Sequence, residues 1–277
     1  MKARLSLCNE VLRPLPLAAQ CEAAARMGYD ALELAPFTLT DDPTQLDAAA
    51  ARQVAATAAG HGLRISSLHW LLVQPKGLSL VTDDAALRQR TLDLLRRLID
   101  FCAACGGEVL VHGSPGQRSP GPGQSVADAC LRLESALAEL APHAAAAGVV
   151  YCLEPLGRFE TPVINTVAEA AALVDRVGSP ALRTMLDVSA ASLSESEPVH
   201  TVLQRFLASG HIAHVQLNDR NRRGPGQGDT DQRPVLQTLK TQGYAGWMAV
   251  EPFDYLPDGL GCAEASVRHV RELWETV

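Results

Sequence analysis

The sequence predicts one (β/α)8 barrel, with residues 1–277 forming a single domain. Three observations carry that expectation. Short apolar runs alternate with helix-periodic stretches from end to end, the pattern of parallel strands joined by crossover helices. Eight such pairs follow one another with no composition shift to mark a domain boundary. The later runs stop on polar or acidic residues, at Glu154, Asp187, Gln216 and Glu251, and barrel enzymes carry their chemistry at the carboxyl ends of the strands. A doubly wound sheet would show a GxGxxG turn after the first strand. The residues from Cys8 to Arg13 contain no glycine.

Residues 4–8 form the first strand and 15–27 an alanine-rich helix, with Gly28 as its C-cap. Residues 30–35 form the second strand, with Glu33 near its end. Residues 43–59 read as a helix entered through Asp41 or Asp42 and Pro43. Residues 63–68 form the third strand, which runs into His69 and Trp70. A loop with Pro75 and Gly77 leads to a long helix over 84–104, where Leu87, Leu94, Leu95, Leu98 and Phe101 recur near helical spacing. Residues 108–111 form the fourth strand, ending at His112. The Gly/Pro/Ser-rich segment 113–123 reads as a loop over the strand ends, followed by an amphipathic helix over 125–147. The remaining strands fall at 149–154, 182–187, 211–217 and 246–251. Their helices fall at 167–177, 198–208, 232–242 and 263–275, the first capped by Thr166.

A chain that is 47% hydrophobic over 277 residues can build a core that needs no disulfide staples. The net charge of −7 weighs against a nucleic-acid partner. No apolar stretch approaches the roughly 20 residues of a membrane span, so no membrane partner is expected. The start, Met1-Lys2-Ala3-Arg4, lacks the apolar core of a secretory signal, and seven scattered cysteines suit reduced, buried thiols. A cytoplasmic protein is the expectation. Cys102 and Cys105 have CxxC spacing, but they lie in an apolar helical run with no second pair and read as packing. The glycine-rich stretch 224–228 lacks the Lys-Ser/Thr of a P-loop, so nucleotide triphosphate binding is not expected.

If the last four strands are neighbours, Glu154, Asp187, Gln216 and Glu251 converge on one point. Two glutamates, an aspartate and an amide make an oxygen-rich site for a hard divalent cation. Glu33, His69 and His112 belong to the same mouth. Each has a plainer alternative. Strand-end acids also cap helices or pair with arginines, histidines also bond backbone, and Glu33 could pair with a loop arginine. Trp70 and Phe37 either wall a pocket or pack.

Four motifs resemble the xylose-isomerase-like TIM-barrel superfamily of sugar isomerases and epimerases. They are the run 153–161, with Leu153, Glu154, Pro155, Gly157, Arg158, Glu160 and Thr161; Met185-Leu186-Asp187; His214 and Gln216 with Asp219 and Arg222; and the stretch from Gly224 to Asp229 leading to Glu251. The superfamily includes ketose 3-epimerases, hydroxypyruvate isomerase, inosose dehydratase and, more distantly, endonuclease IV. The resemblance covers nearly the whole chain. It implies one divalent metal on Glu154, Asp187, Gln216 and Glu251, with Mn²⁺ the leading choice and Mg²⁺, Co²⁺ or Zn²⁺ as alternatives. It also implies that Glu160 and Arg222 contact substrate. His69, His112 and Glu33, at the same strand ends, are further substrate-contact candidates on their position alone. Two positions depart from the family pattern: Gln216 replaces a histidine ligand, and Ala190 stands where the epimerases often carry a substrate-binding histidine.

The expected function is a metal-dependent isomerase or epimerase of a small keto-sugar, its phosphate or its acid. Glu154 and Glu251 would move the proton beside the carbonyl through an enediolate. The alternatives are a dehydratase of a keto-cyclitol or polyol with His69 or His112 as the acid, a sugar-binding barrel without turnover, and an endonuclease IV-like enzyme. Ala190, Gln216 and Asp231 weigh against the last, whose zinc cluster wants histidines. The expected partner is a small carbohydrate, and homo-oligomers are carried by analogy.

Overall fold

The computed structural model describes residues 2–277 and forms a closed barrel of parallel strands in chain order. The strands are β1 (Leu5–Cys8), β2 (Ala31–Leu34), β3 (Arg64–Leu68), β4 (Val109–His112), β5 (Val150–Leu153), β6 (Leu182–Asp187), β7 (Ile212–Leu217) and β8 (Met248–Val250). β8 pairs back onto β1 through Leu5 and Met248, which closes the ring. The outer helices are α1 (Leu17–Met27), α2 (Ala48–Gly60), α3 (Ala85–Ala104), α4 (Pro115–Arg118), α5 (Val126–Ala147), α6 (Val167–Val177), α7 (Val188–Ser194), α8 (Val199–Ala208), α9 (Arg233–Thr241) and α10 (Gly259–Thr276). No helix among the described residues is long and apolar enough to cross a membrane.

Local sequence explains most boundaries. Gly28 ends α1 with φ 95°, a left-handed conformation that a side chain disfavours. Thr166 accepts from Glu169 N while the Glu169 carboxylate accepts from Thr166 N, a reciprocal capping box at the start of α6. Such a cap contributes about 1 kcal/mol.

Three expectations are corrected. The helix expected from residue 43 begins at Ala48, capped by Asp47, which accepts from Ala49 N and Ala50 N. Asp42 caps only a 3-10 turn, Pro43–Gln45, before buried Leu46. The last helix starts at Gly259, ahead of residue 263, because Asp258 caps it by accepting from Gly261 N. The loop after β4 contains the helical turn α4, which delivers a fully buried Arg118. The seven cysteines are free thiols, and buried Cys102 and Cys105 donate to the carbonyls of Val109 and Ala51.

Strand alternation sorts side chains into two sets. Leu110, Tyr151, Leu153, Leu182 and Leu186 join the main core against the helices, whereas Val109, Val111, Cys152 and Met185 form a separate small cluster. Asp187 is two residues beyond Met185 and Glu154 two beyond Cys152, so both acids share the inner face at the mouth. The register sets Asp187 on β6 beside Gln216 on β7.

Candidate metal centre and active site

Carboxylate oxygens of Glu154, Asp187 and Glu251 lie within 4.8 Å of one another, and all three residues are buried. Each holds its place for a separate reason. Glu154 follows the end of β5, and its carbonyl accepts from Arg118 Nη1 at 2.7 Å. The same guanidinium donates to the carbonyls of His112 and Ile164, tying together the ends of β4 and β5 and the loop beyond. Asp187 closes β6 and also caps α7, where its Oδ1 accepts from Ala190 N at 2.6 Å and its Oδ2 from Asn218 Nδ2 at 2.6 Å. The helix-capping alternative is therefore met at Asp187 together with membership of the cluster. Glu251 Oε1 accepts from His69 Nδ1 at 2.9 Å and Trp70 Nε1 at 3.0 Å, while its buried Oε2 has no partner.

Burial pushes the Glu154 carboxyl well above its usual range, and the neighbouring Glu251 and Asp187 add to the shift. Burial likewise raises Asp187 to about 6, against the hydrogen bonds from Ala190 and Asn218. Glu251 is raised to about 8, burial outweighing the contact with His69. Three acids that repel one another in a buried space, with an orphan oxygen among them, form the donor set of a hard divalent cation. The residues fit such an ion. Gln216, in register with Asp187 on the neighbouring strand, has a buried Oε1 without a partner and is a candidate fourth donor.

Above the cluster opens a cavity at the carboxyl ends of the strands. Trp70, Leu156, Phe159, Leu193 and Phe253 wall it, and Glu160 and Arg222 reach into it. Arg222 Nη1 lies 3.6 Å from Glu160 Oε1, and its guanidinium sits 4.2 Å above the Phe253 ring and 5.2 Å above Phe159. Gly113 also lines the cavity, and a Cβ at that position would overlap Glu154 Oε2. We expect Gly113→Ala to displace the carboxylate and lower kcat about 100-fold with the melting temperature nearly unchanged, checked by steady-state kinetics beside thermal melts.

The remaining candidates divide. His69 lines the cavity and bridges two carboxyls, its Nε2 2.9 Å from Glu10 Oε2 and its Nδ1 2.9 Å from Glu251 Oε1, an arrangement that favours a charged ring. Burial works against that charge, but Glu10 and Glu251 outweigh it and hold the ring well above its usual pKa. His112 does not reach the cavity. It falls in strand phase with Tyr151, on the face opposite Val111, and its Nδ1 lies 2.7 Å from the Tyr151 hydroxyl. Burial lowers it to about 3, with Arg118 contributing, so it is neutral. Glu33 does not reach the cavity either, and no loop arginine pairs with it. It is fully buried, where it accepts from Gln216 Nε2 at 2.7 Å, from Ser67 Oγ and from Cys8 Sγ, with His214 Nε2 2.7 Å away. Burial of a lone carboxylate costs several kcal/mol. Here His214 and His69 outweigh that penalty and hold Glu33 well below the usual range.

Sequence reasoning missed Glu10, Arg118 and Asn218. Glu10 lies two residues past β1, an acid after a strand like the others, and was the one of the three with a visible signal.

An eight-stranded parallel barrel with an oxygen-rich cluster at the carboxyl ends of its strands defines a TIM-barrel protein with a candidate divalent-metal centre. The xylose isomerase-like TIM barrel family matches residues 21–273, and the chain belongs to that family. It is similar to a Synechocystis protein named "Probable ketose 3-epimerase", 28% identical over 92% of this chain and 82% of the relative. It is also similar to the L-ribulose 3-epimerase of Methylomonas, 29% identical over 83% of this chain and 76% of the relative. A solved D-psicose 3-epimerase superposes with a TM-score of 0.83 over 98% of this chain and 99% of its own, at 20% identity, a likeness of fold.

Proposed function

We propose that the chain is a divalent-metal-dependent epimerase of a small, unphosphorylated keto-sugar. The observation that carries this reading is the buried Glu154–Asp187–Glu251 cluster at the floor of a cavity walled by aromatic and aliphatic side chains, in a chain similar to proteins named ketose 3-epimerases. Glu154, Asp187, Glu251 and Gln216 would hold a divalent cation, which would supply the positive charge that acidifies the C–H next to a carbonyl. The oxygen-only donor set favours Mn²⁺ or Mg²⁺ over softer ions.

Glu154 and Glu251 stand on β5 and β8 sides of the floor, so one takes the proton and the other returns it on the opposite face. Oε2 is the Glu251 oxygen without a partner, since Oε1 is held by His69 and Trp70. The apolar walls exclude water from the carbanion, and Arg222 with Glu160 orients the hydroxyls. Dehydration is the weaker reading. It needs an acid for the departing hydroxyl, and His69 has both nitrogens committed while His112 lies off the cavity.

The cavity lining carries four carboxylates, Glu154, Glu160, Asp187 and Glu251, and only one arginine, Arg222, already beside Glu160. Arg222 is the one arginine or lysine in that lining, so no unpaired cationic side chain is left there to hold a phosphate. With Mn²⁺ supplied, the expected result is epimer formation from free ketopentoses or ketohexoses, with kcat/KM at least about tenfold above that for their terminal phosphates. Chromatography of the product mixtures checks this. Turnover of phosphorylated ketoses alone would reverse the substrate assignment, and loss of water with no epimer would favour dehydration.

A further inference from the structure

One buried contact has no role in proton transfer: the pair formed by Glu33 and Gln216 inside the barrel. Their side chains come from β2 and β7, 183 residues apart, and both are fully buried. A primary amide has two ends of similar shape and opposite chemistry, a donor NH₂ and an acceptor oxygen. Glu33 already accepts from Ser67 Oγ and Cys8 Sγ, with His214 Nε2 2.7 Å away. Turning the Gln216 oxygen toward Glu33 would set one acceptor against another where no water reaches, and forfeit the hydrogen bond. The NH₂ must therefore face Glu33, as it does at 2.7 Å, and the oxygen must face the other way. That oxygen is the buried, unpartnered Oε1, on a residue in register with Asp187.

We propose that Glu33 is a positioning residue that locks the Gln216 amide, so that the position presents oxygen to the Glu154–Asp187–Glu251 cluster and the site selects hard divalent cations, Mn²⁺ and Mg²⁺, over Zn²⁺. The inference rests on the metal-centre reading above and extends it to a residue that touches neither ion nor sugar. A carboxylate behind a metal-ligating side chain commonly sets which atom of that ligand faces the metal, and its loss costs about 10- to 100-fold in affinity.

The test is calorimetric titration of the metal-free full-length chain with Mn²⁺ and with Zn²⁺, in a double-mutant cycle of Glu33→Leu and Gln216→Leu. Each single change weakens Mn²⁺ binding about tenfold or more. If Glu33 acts through Gln216, Glu33→Leu costs nothing further in the Gln216→Leu background. Additive losses would overturn the proposal, as would unchanged Mn²⁺ affinity in Gln216→Leu. Should Glu33→Leu fail to fold, Gln216→His carries the test. The Kd ratio then shifts toward Zn²⁺ by about tenfold or more, and Mn²⁺ spin-echo spectra gain the modulation of a coordinated nitrogen that the wild type lacks. A coordinated nitrogen in the wild type, or none in Gln216→His, contradicts the proposal. Failure of the wild type to bind either ion removes the metal-centre reading and this inference together. Normal wild-type binding with no effect at Gln216 removes only the inference.

Discussion

Glu251→Gln is expected to slow epimer formation by about 10²- to 10⁴-fold, the usual worth of a positioned acid or base, and Glu154→Gln to act comparably. Glutamine keeps the shape of the side chain and its hydrogen bonds with His69 and Trp70, so the barrel should still fold. It also removes one member of a group of mutually repelling, buried carboxyls. The metal-free variant should therefore melt no lower than wild type, while its Mn²⁺ affinity falls. Activity lost with stability kept is the signature of a functional acid. A structural acid would show the reverse. Progress curves beside thermal melts of the same preparations check the pair.

The second large effect concerns pH. In the metal-free protein Glu251 is raised from 4.5 to about 8, by burial against the pull of His69, and Asp187 from 3.8 to about 6, again by burial. Both folded values lie above the unfolded ones. The folded chain thus holds protons that the unfolded chain has released, and it gains full stability from them below about pH 4. That contribution is lost as pH rises through about 6 and then about 8. Metal binding needs the ionised carboxylates, so it runs the opposite way and releases protons. The rise in melting temperature on adding Mn²⁺ should be small near pH 5 and large near pH 8. Calorimetry in two buffers of different ionisation enthalpy should show proton release at pH 7. A rise that is flat with pH, or proton uptake, would contradict the electrostatic account of the cluster.

The barrel was legible because its information is local. Apolar runs of strand length, Gly28 past a helix and Thr166 before one mark elements without reference to anything distant. Strand-end acids were legible for a related reason: parallel strands put every carboxyl end at one mouth, so Glu154, Asp187 and Glu251 had to meet. What escaped was phase and long-range pairing. His112 ends a strand as the acids do, but one residue of alternation turns it from the lumen toward Tyr151. Glu33 alternates inward, yet only the fold shows that the residues waiting there are His214 and Gln216. Arg118 sat in a stretch of glycine, proline and serine that reads as solvated loop, and its burial depends on three carbonyls from separate segments. The start of α2 was misplaced because Asp42 and Asp47 are both good caps, and only the second opens a lasting helix.

The most direct test of the central claim is deuterium incorporation. The metal-stripped protein and the same protein reloaded with Mn²⁺ are each incubated in D₂O with a free ketose, and the carbon beside the carbonyl is followed by NMR. The account predicts deuterium at that carbon in the epimer formed by the reloaded protein and none with the stripped one. Epimer without deuterium, equal exchange in both preparations, or no exchange across the panel of free ketoses would contradict a metal-dependent proton-transfer epimerase.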